Sequence, residues 1–148
     1  MGLAFRNLTV SPQDPVATWP TEAIQTALER GDLDDWRRVV AELERDPWGR
    51  VARQVEEVLT YSRPYGISEA MEVVLGRVRA RAEAGEKADV AAEVRRVIAE
   101  SGLSQAEFAS RIGTSASRLS TYASGKVTPS AALMVRIRRV LERSAERE

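Results

Sequence analysis

The sequence predicts an all-α protein. Apolar side chains recur three and four residues apart through most of the 148-residue chain. No stretch alternates apolar and polar residues as a half-buried strand would. Glycine, proline and small oxygen-bearing residues punctuate the apolar runs where helices start and stop.

Each element follows from its residues. Residues 1–18 hold Pro12 and Pro15, show no clear period and read as an extended or mobile arm. Trp19-Pro20-Thr21 opens a first helix that ends at Gly31, with Ala23, Ile24, Ala27 and Leu28 on one face. Asp32 can cap a second helix with Leu33, Trp36, Val39, Val40 and Leu43 on its apolar stripe. Asp46-Pro47 reads as the start of a third, an acid at the cap and proline at the first helical position, with Val51, Val55, Val58 and Leu59 inward. Arg63-Pro64-Tyr65-Gly66 breaks it, and a fourth helix is expected over 67 to about 84, carrying Met71, Val74, Leu75 and Val78. Ala84-Gly85-Glu86-Lys87 is small and polar, so a boundary is placed there; a plain helix–helix turn is the alternative. Val90, Val94, Val97 and Ile98 mark the next helix, ended by Ser101-Gly102. With two short helices after it and a last one over 130 to about 143, the chain should hold about eight.

Composition narrows the chemistry. Hydrophobic residues make up 43% and aromatics 5%, so a core of Val, Leu, Ile and Ala is expected. There is no Cys and no His, which excludes disulfides, thiolate and imidazole catalysis and zinc fingers. The acidic pairs Asp34-Asp35 and Glu56-Glu57 diverge by about 100° on a helix and do not converge on a substrate. No catalytic residue, metal ligand or cofactor is assigned, and no enzyme activity is expected. No apolar run is long enough to span a membrane and the N-terminus does not read as a signal peptide, so a cytoplasmic protein is expected. Net charge is zero but uneven. Residues 1–86 carry 11 basic and 15 acidic side chains, and residues 87–148 carry 11 and 7. The basic half suits phosphate, although such an imbalance is also ordinary surface variation.

The densest pattern is LSQAEFASRIGTSASRLSTYASGKVTPS, from Leu103 to Ser130. Ser104 and Glu107 are spaced as a capping box, with Phe108, Ala109 and Ile112 as a short apolar face. Gly113 ends this helix, and Ser115 can cap another from Ala116 to about Ser124 with Leu119 and Tyr122 inward. Gly125 closes it and Pro129 follows in the loop. Ser104-Gln105, Phe108-Ala109, Gly113-Thr114-Ser115, Leu119-Ser120, Gly125-Lys126 and Pro129-Ser130 together resemble the helix-turn-helix of the phage-repressor and Cro family, also called the xenobiotic-response-element family. The chain departs from that pattern at Ala123, where many members are acidic and an intradomain polar link is lost, and at Ala116, where a longer base-reading side chain is common.

The resemblance implies a lambda-repressor-like domain over 87–148, double-stranded DNA as partner and a two-fold dimer on a palindromic operator. It places Gln105 on the DNA backbone, bracing the second helix. Thr114 and Ser115, by hydroxyl and amide, could reach a second phosphate. Ala116, Ser117, Arg118 and Thr121 point away from Leu119 and Tyr122, towards base edges. Arg118 is either a guanine reader or a phosphate clamp; Ser117 and Thr121 suit base edges or a thymine methyl, and Ala116 only apolar contact. Ser124 and Lys126 would meet phosphates on the other strand. Arg111, Arg136, Arg138 and Arg139 are left outside the site, as solvated or paired with Glu142. Residues 19–86, with Trp19, Trp36 and Trp48, serve dimerisation, partner binding or scaffolding. The leading reading is a transcriptional regulator of repressor type. The alternative is an antitoxin whose N-terminal helices grip a toxin while its C-terminal domain represses the operon.

Overall fold

Four helices of the protein open on a side-chain cap, which fixes where they begin. The computed structural model describes residues 2–147, so the outermost residue of the expected arm and of the expected C-terminal domain, Met1 and Glu148, lie outside the described residues. These hold seven α-helices and no strand: α1 (Thr21–Arg30), α2 (Leu33–Arg45), α3 (Arg50–Tyr61), α4 (Ile67–Ser101), α5 (Gln105–Ile112), α6 (Ala116–Ser124) and α7 (Ala131–Ala145). They form two compact units, divided between Ala82 and Glu83.

In the N-terminal unit Asp32 caps α2 in a full capping box: its carboxylate accepts from the Asp34 and Asp35 amides, and Asp35 accepts from the Asp32 amide. The α1 face of Ala23, Ile24, Ala27 and Leu28 is buried with Val39 and Leu43 of α2 and Val51, Val55 and Val58 of α3. Trp19 is fully buried at its centre. Trp36 is half-buried and donates its indole N–H to the Ala27 carbonyl (2.9 Å), pinning α2 to the end of α1. Trp48 is 47% exposed, with the Arg79 guanidinium 4.8 Å from its ring centre.

Three expectations need correction here. Residues 2–18 carry no α-helix or strand, as the extended alternative has it, but they are packed down rather than loose. Leu3, Phe5, Leu8 and Val10 pack on the core, and Phe5 meets Trp19 edge-on at 5.1 Å. Arg38 of α2 lies over the Trp19 ring and donates to the Pro12 and Asp14 carbonyls. Asp46-Pro47 does not start α3. It opens a turn closed by the Gly49 amide on the Asp46 carbonyl (3.1 Å), and Gly49 is the N-cap. A side chain at Gly49 would collide with the Asp46 carboxylate.

The third correction concerns the expected break at 84–87, which is absent: α4 runs through it to Ser101. The bridging residues are mostly Ala, Arg, Glu and Lys, strong helix formers, with no proline and no capping side chain to stop them. Gly85 alone disfavours the helix, by about 1 kcal/mol, too little to end it. The expected fourth and fifth helices are therefore one.

The C-terminal unit is built on Val94 and Val97 of α4, Phe108, Ala109 and Ile112 of α5, Leu119 and Tyr122 of α6, and Met134, Ile137 and Val140 of α7. Phe108, Leu119 and Ile137 are fully buried. This core is what holds the two short helices, since neither is long enough to be stable alone in water.

Candidate nucleic-acid interface

The Ser104 hydroxyl accepts from the Glu107 amide (3.1 Å) and caps α5. The expected reciprocal bond differs: the Glu107 carboxylate takes the Ser104 hydroxyl hydrogen (2.9 Å) instead of reaching the Ser104 backbone. At the other end Gly113 adopts φ 79°, ψ 33°. Its amide bonds the Ser110 carbonyl and the Thr114 amide bonds the Ala109 carbonyl (2.9 Å), the paired closure that ends a helix and turns the chain sharply. Two residues later Ser115 caps α6 by accepting from the Arg118 amide (3.2 Å). Gly125, at φ 82°, closes α6, and a Cβ placed there would stand 3.4 Å from the Ala91 Cβ of α4.

Leu119 and Tyr122 turn into the core, so the opposite side of α6 faces outward. Ala116, Ser117, Arg118 and Ser124 are exposed, Thr121 is half-buried, and Gln105 at the start of α5 and Lys126 beyond α6 are exposed. Thr114 is half-buried and Ser115 exposed, in the turn between the two helices. Of the nine residues expected to form the site, Ala116, Ser117, Arg118, Thr121 and Ser124 lie on α6, Thr114 and Ser115 in the turn before it, Lys126 just beyond it, and Gln105 opens α5. At about 100° per residue, Ser120 lies nearer the middle of the outer face than Arg118 does. It is exposed, and the helical period alone could have named it.

Hydrogen bonding limits what each group can offer. The Thr114 amide is taken by Ala109, which leaves its hydroxyl for a ligand. The Ser115 hydroxyl is taken by its cap and touches Ser117 Oγ at 3.2 Å. Thr121 donates to the Arg118 carbonyl (2.6 Å), while Ser124 donates to the Thr121 carbonyl (3.1 Å) and accepts from the Lys126 amide (3.3 Å), so each hydroxyl must turn its hydrogen away from the main chain to donate to a phosphate. The first two amides of α5 and of α6 have no intrahelical partner, which makes both helix starts positive and anion-seeking. Arg118 forms no ion pair among the described residues.

Two features escaped the sequence. Arg95 of α4 donates to the Ala123 carbonyl at the end of α6 (2.6 Å). The polar link expected to be missing with alanine at 123 is thus made through the backbone, by a cation on a helix C-terminus where the dipole favours it. Arg138 pairs with Glu93 of α4 (2.7 and 3.2 Å), not with Glu142. That bond holds the Glu93 carboxyl below its ordinary range.

No described helix is long and apolar enough to cross a membrane. Neither the curated proteins nor the solved structures contain a match to the chain. Residues 94–147 match the family model described as Helix-turn-helix. With α5, the Gly113 turn and α6 in place, the chain carries a helix-turn-helix domain of the phage-repressor and Cro family, and is a DNA-binding transcriptional regulator.

Proposed function

We propose that the protein is a repressor that occupies a palindromic operator in the cytoplasm as a two-fold dimer, blocking polymerase by its presence there. The outward face of α6 supports this most directly, with its small side chains, Arg118 and the two amides at its start that no carbonyl or cap takes. On this reading Gln105, Thr114, Ser115, Ser124 and Lys126 hold phosphates, while Ala116, Ser117, Arg118 and Thr121 face base edges. The experiment is a titration, by fluorescence anisotropy, of duplexes from the protein's own upstream region against scrambled duplexes at two salt concentrations. A specific operator binds at least about 10³-fold more tightly than scrambled DNA. Equal binding to both rejects the operator.

The dimer reading rests on the N-terminal unit. Leu33, Trp36, Val40, Ile67, Met71 and Val74 line an apolar groove of about 610 Å³ between α2 and the start of α4. Leu33 is 56% exposed there. Arg37 and Glu44 flank the same groove on α2. In an antiparallel α2 pair with its two-fold between Val40 and Ala41, Arg37 of each copy faces Glu44 of the other, so the surface is self-complementary. Sedimentation tests this. Arg37→Glu or Glu44→Arg alone weakens dimerisation, and the double reversal restores it. A wild-type monomer at micromolar concentration refutes the pairing, and a co-purifying protein seated on this groove favours the antitoxin reading instead.

A further inference from the structure

Arg111 of α5 and Arg136, Arg139, Arg143 and Arg147 of α7 and its end line one cleft of about 350 Å³, with Val140 as its apolar floor. Arg136, Arg139 and Arg143 fall on one stripe of α7 by their spacing of three and four. Arg111 joins them because the core packs α5 on α7 through Phe108, Ile112, Ile137 and Val140. Arg136 reaches over the turn between α5 and α6: its Nη1 lies 3.9 Å from where a side chain on Gly113 would begin.

None of the five guanidinium groups is in an ion pair among the described residues, whereas Arg37, Arg45, Arg63, Arg79, Arg96 and Arg138 each are. Among the described residues no carboxylate lines the cleft, although Glu142 and Glu146 belong to the same stretch of chain. Like charges at helical spacing repel one another, so this arrangement weakens the helix unless an anion fills it. Guanidinium forks match phosphate oxygens two at a time, and several forks around one concavity select a ligand with several phosphate groups over a single anion. The volume lies at the low end of small-ligand sites, which span about 300–1,000 Å³.

We propose that this arginine cleft is a binding site for a phosphate polyanion, separate from the outer face of α6. The phosphates have two sources, a free polyphosphate such as that of a nucleotide, or the backbone of bound DNA beyond the groove read by α6. The full-length protein is titrated with inorganic tripolyphosphate by calorimetry, in parallel with Arg139→Gln/Arg143→Gln. Both positions are exposed, and an unchanged thermal melt confirms that the variant folds. Saturable binding that falls at least tenfold in the variant supports the site and assigns the free polyphosphate. No tripolyphosphate binding, but a shallower salt dependence of duplex binding in the variant, by about 0.9 in log K against log salt per phosphate lost, supports the site and assigns the DNA backbone. The tripolyphosphate arm does not depend on operator recognition, so the two readings fail separately. Equal tripolyphosphate binding by both proteins, or no binding together with an unchanged salt slope, overturns the proposal.

Discussion

Gly85 is the sharpest test of whether α4 is continuous. It lies inside α4, exposed, with nothing within 4 Å of where a Cβ would stand. Gly85→Ala therefore adds no clash and gains only helix propensity, about 0.8–1.0 kcal/mol. Gly85→Pro removes one amide and sets its ring against the Arg81 carbonyl, which costs about 2 kcal/mol or more relative to glycine. Alanine and proline at this position should differ by roughly 3 kcal/mol in the local stability of that stretch, about 2 of it lost on going from glycine to proline. Native-state hydrogen exchange of residues 83–89 is the suitable assay, because it reads local opening and does not require both units to unfold together. Alanine should slow exchange there by about fourfold to fivefold, and proline should abolish most of the protection. If 84–87 were a turn, proline would be tolerated and alanine would give no gain. Unchanged exchange in Gly85→Ala together with retained protection in Gly85→Pro would refute a continuous α4.

The remaining predictions concern the C-terminal unit. Arg118→Ala should lower operator affinity by about 1–3 kcal/mol and relax the choice of one base pair if it reads guanine, or flatten the salt dependence if it clamps phosphate; unchanged binding to every duplex removes it from the site. Lys126→Ala should weaken all sequences alike and reduce the salt slope by about 1, which filter binding at several salt concentrations measures. Phe108→Ala empties the centre of the core and should destabilise the unit by about 3–5 kcal/mol, read as loss of its cooperative melt; a smaller loss means the core has closed around the gap. Glu93 has its carboxyl held low by Arg138, so its contribution is present above the ordinary carboxylate value of 4.5 and fades as pH falls through the lower folded value. Arg138 is held above its ordinary value and stays charged through that window, so Glu93→Gln should flatten the acid limb of the stability profile, and an unchanged limb rules the pair out as its source.

What could be read from the sequence is what is local. Asp32, Ser104 and Ser115 hold amides two or three residues away, and Gly113 and Gly125 adopt the left-handed backbone that a side chain disfavours, so both ends of α6 were marked. Asp46-Pro47 was misleading because the same residues that favour a helix start also favour a tight turn, and only the Gly49 contact decides between them. The arm read as loose because its anchors are Arg38 and Trp19, and no periodicity reports a guanidinium 26 residues from the carbonyl it binds. Arg95 escaped for a related reason: its partner is a main-chain carbonyl, and any residue could have supplied one. The arginine cleft draws on α5 and α7, so sequence alone showed scattered charges and suggested Glu142 as a partner that the fold does not use.

A nine-residue helix does not hold its shape alone, yet on the proposed reading α6 presents its face to a duplex without first folding on it. Its supports come from four directions. Ser115 caps its start, Leu119 and Tyr122 bury its inner side, Gly125 closes its end, and Arg95 ties its last turn back to α4. None of these uses the outer face, so stability and reading are divided between opposite sides of the same helix. The outer side is built from Ala, Ser and Thr with one Arg, short side chains that let a helix approach base edges closely but carry little discrimination each. A face so small reads few base pairs. On the proposed reading, selectivity then comes from pairing two such faces at half-sites one helical turn apart, about 34–36 Å, and self-association becomes part of how the protein recognises DNA.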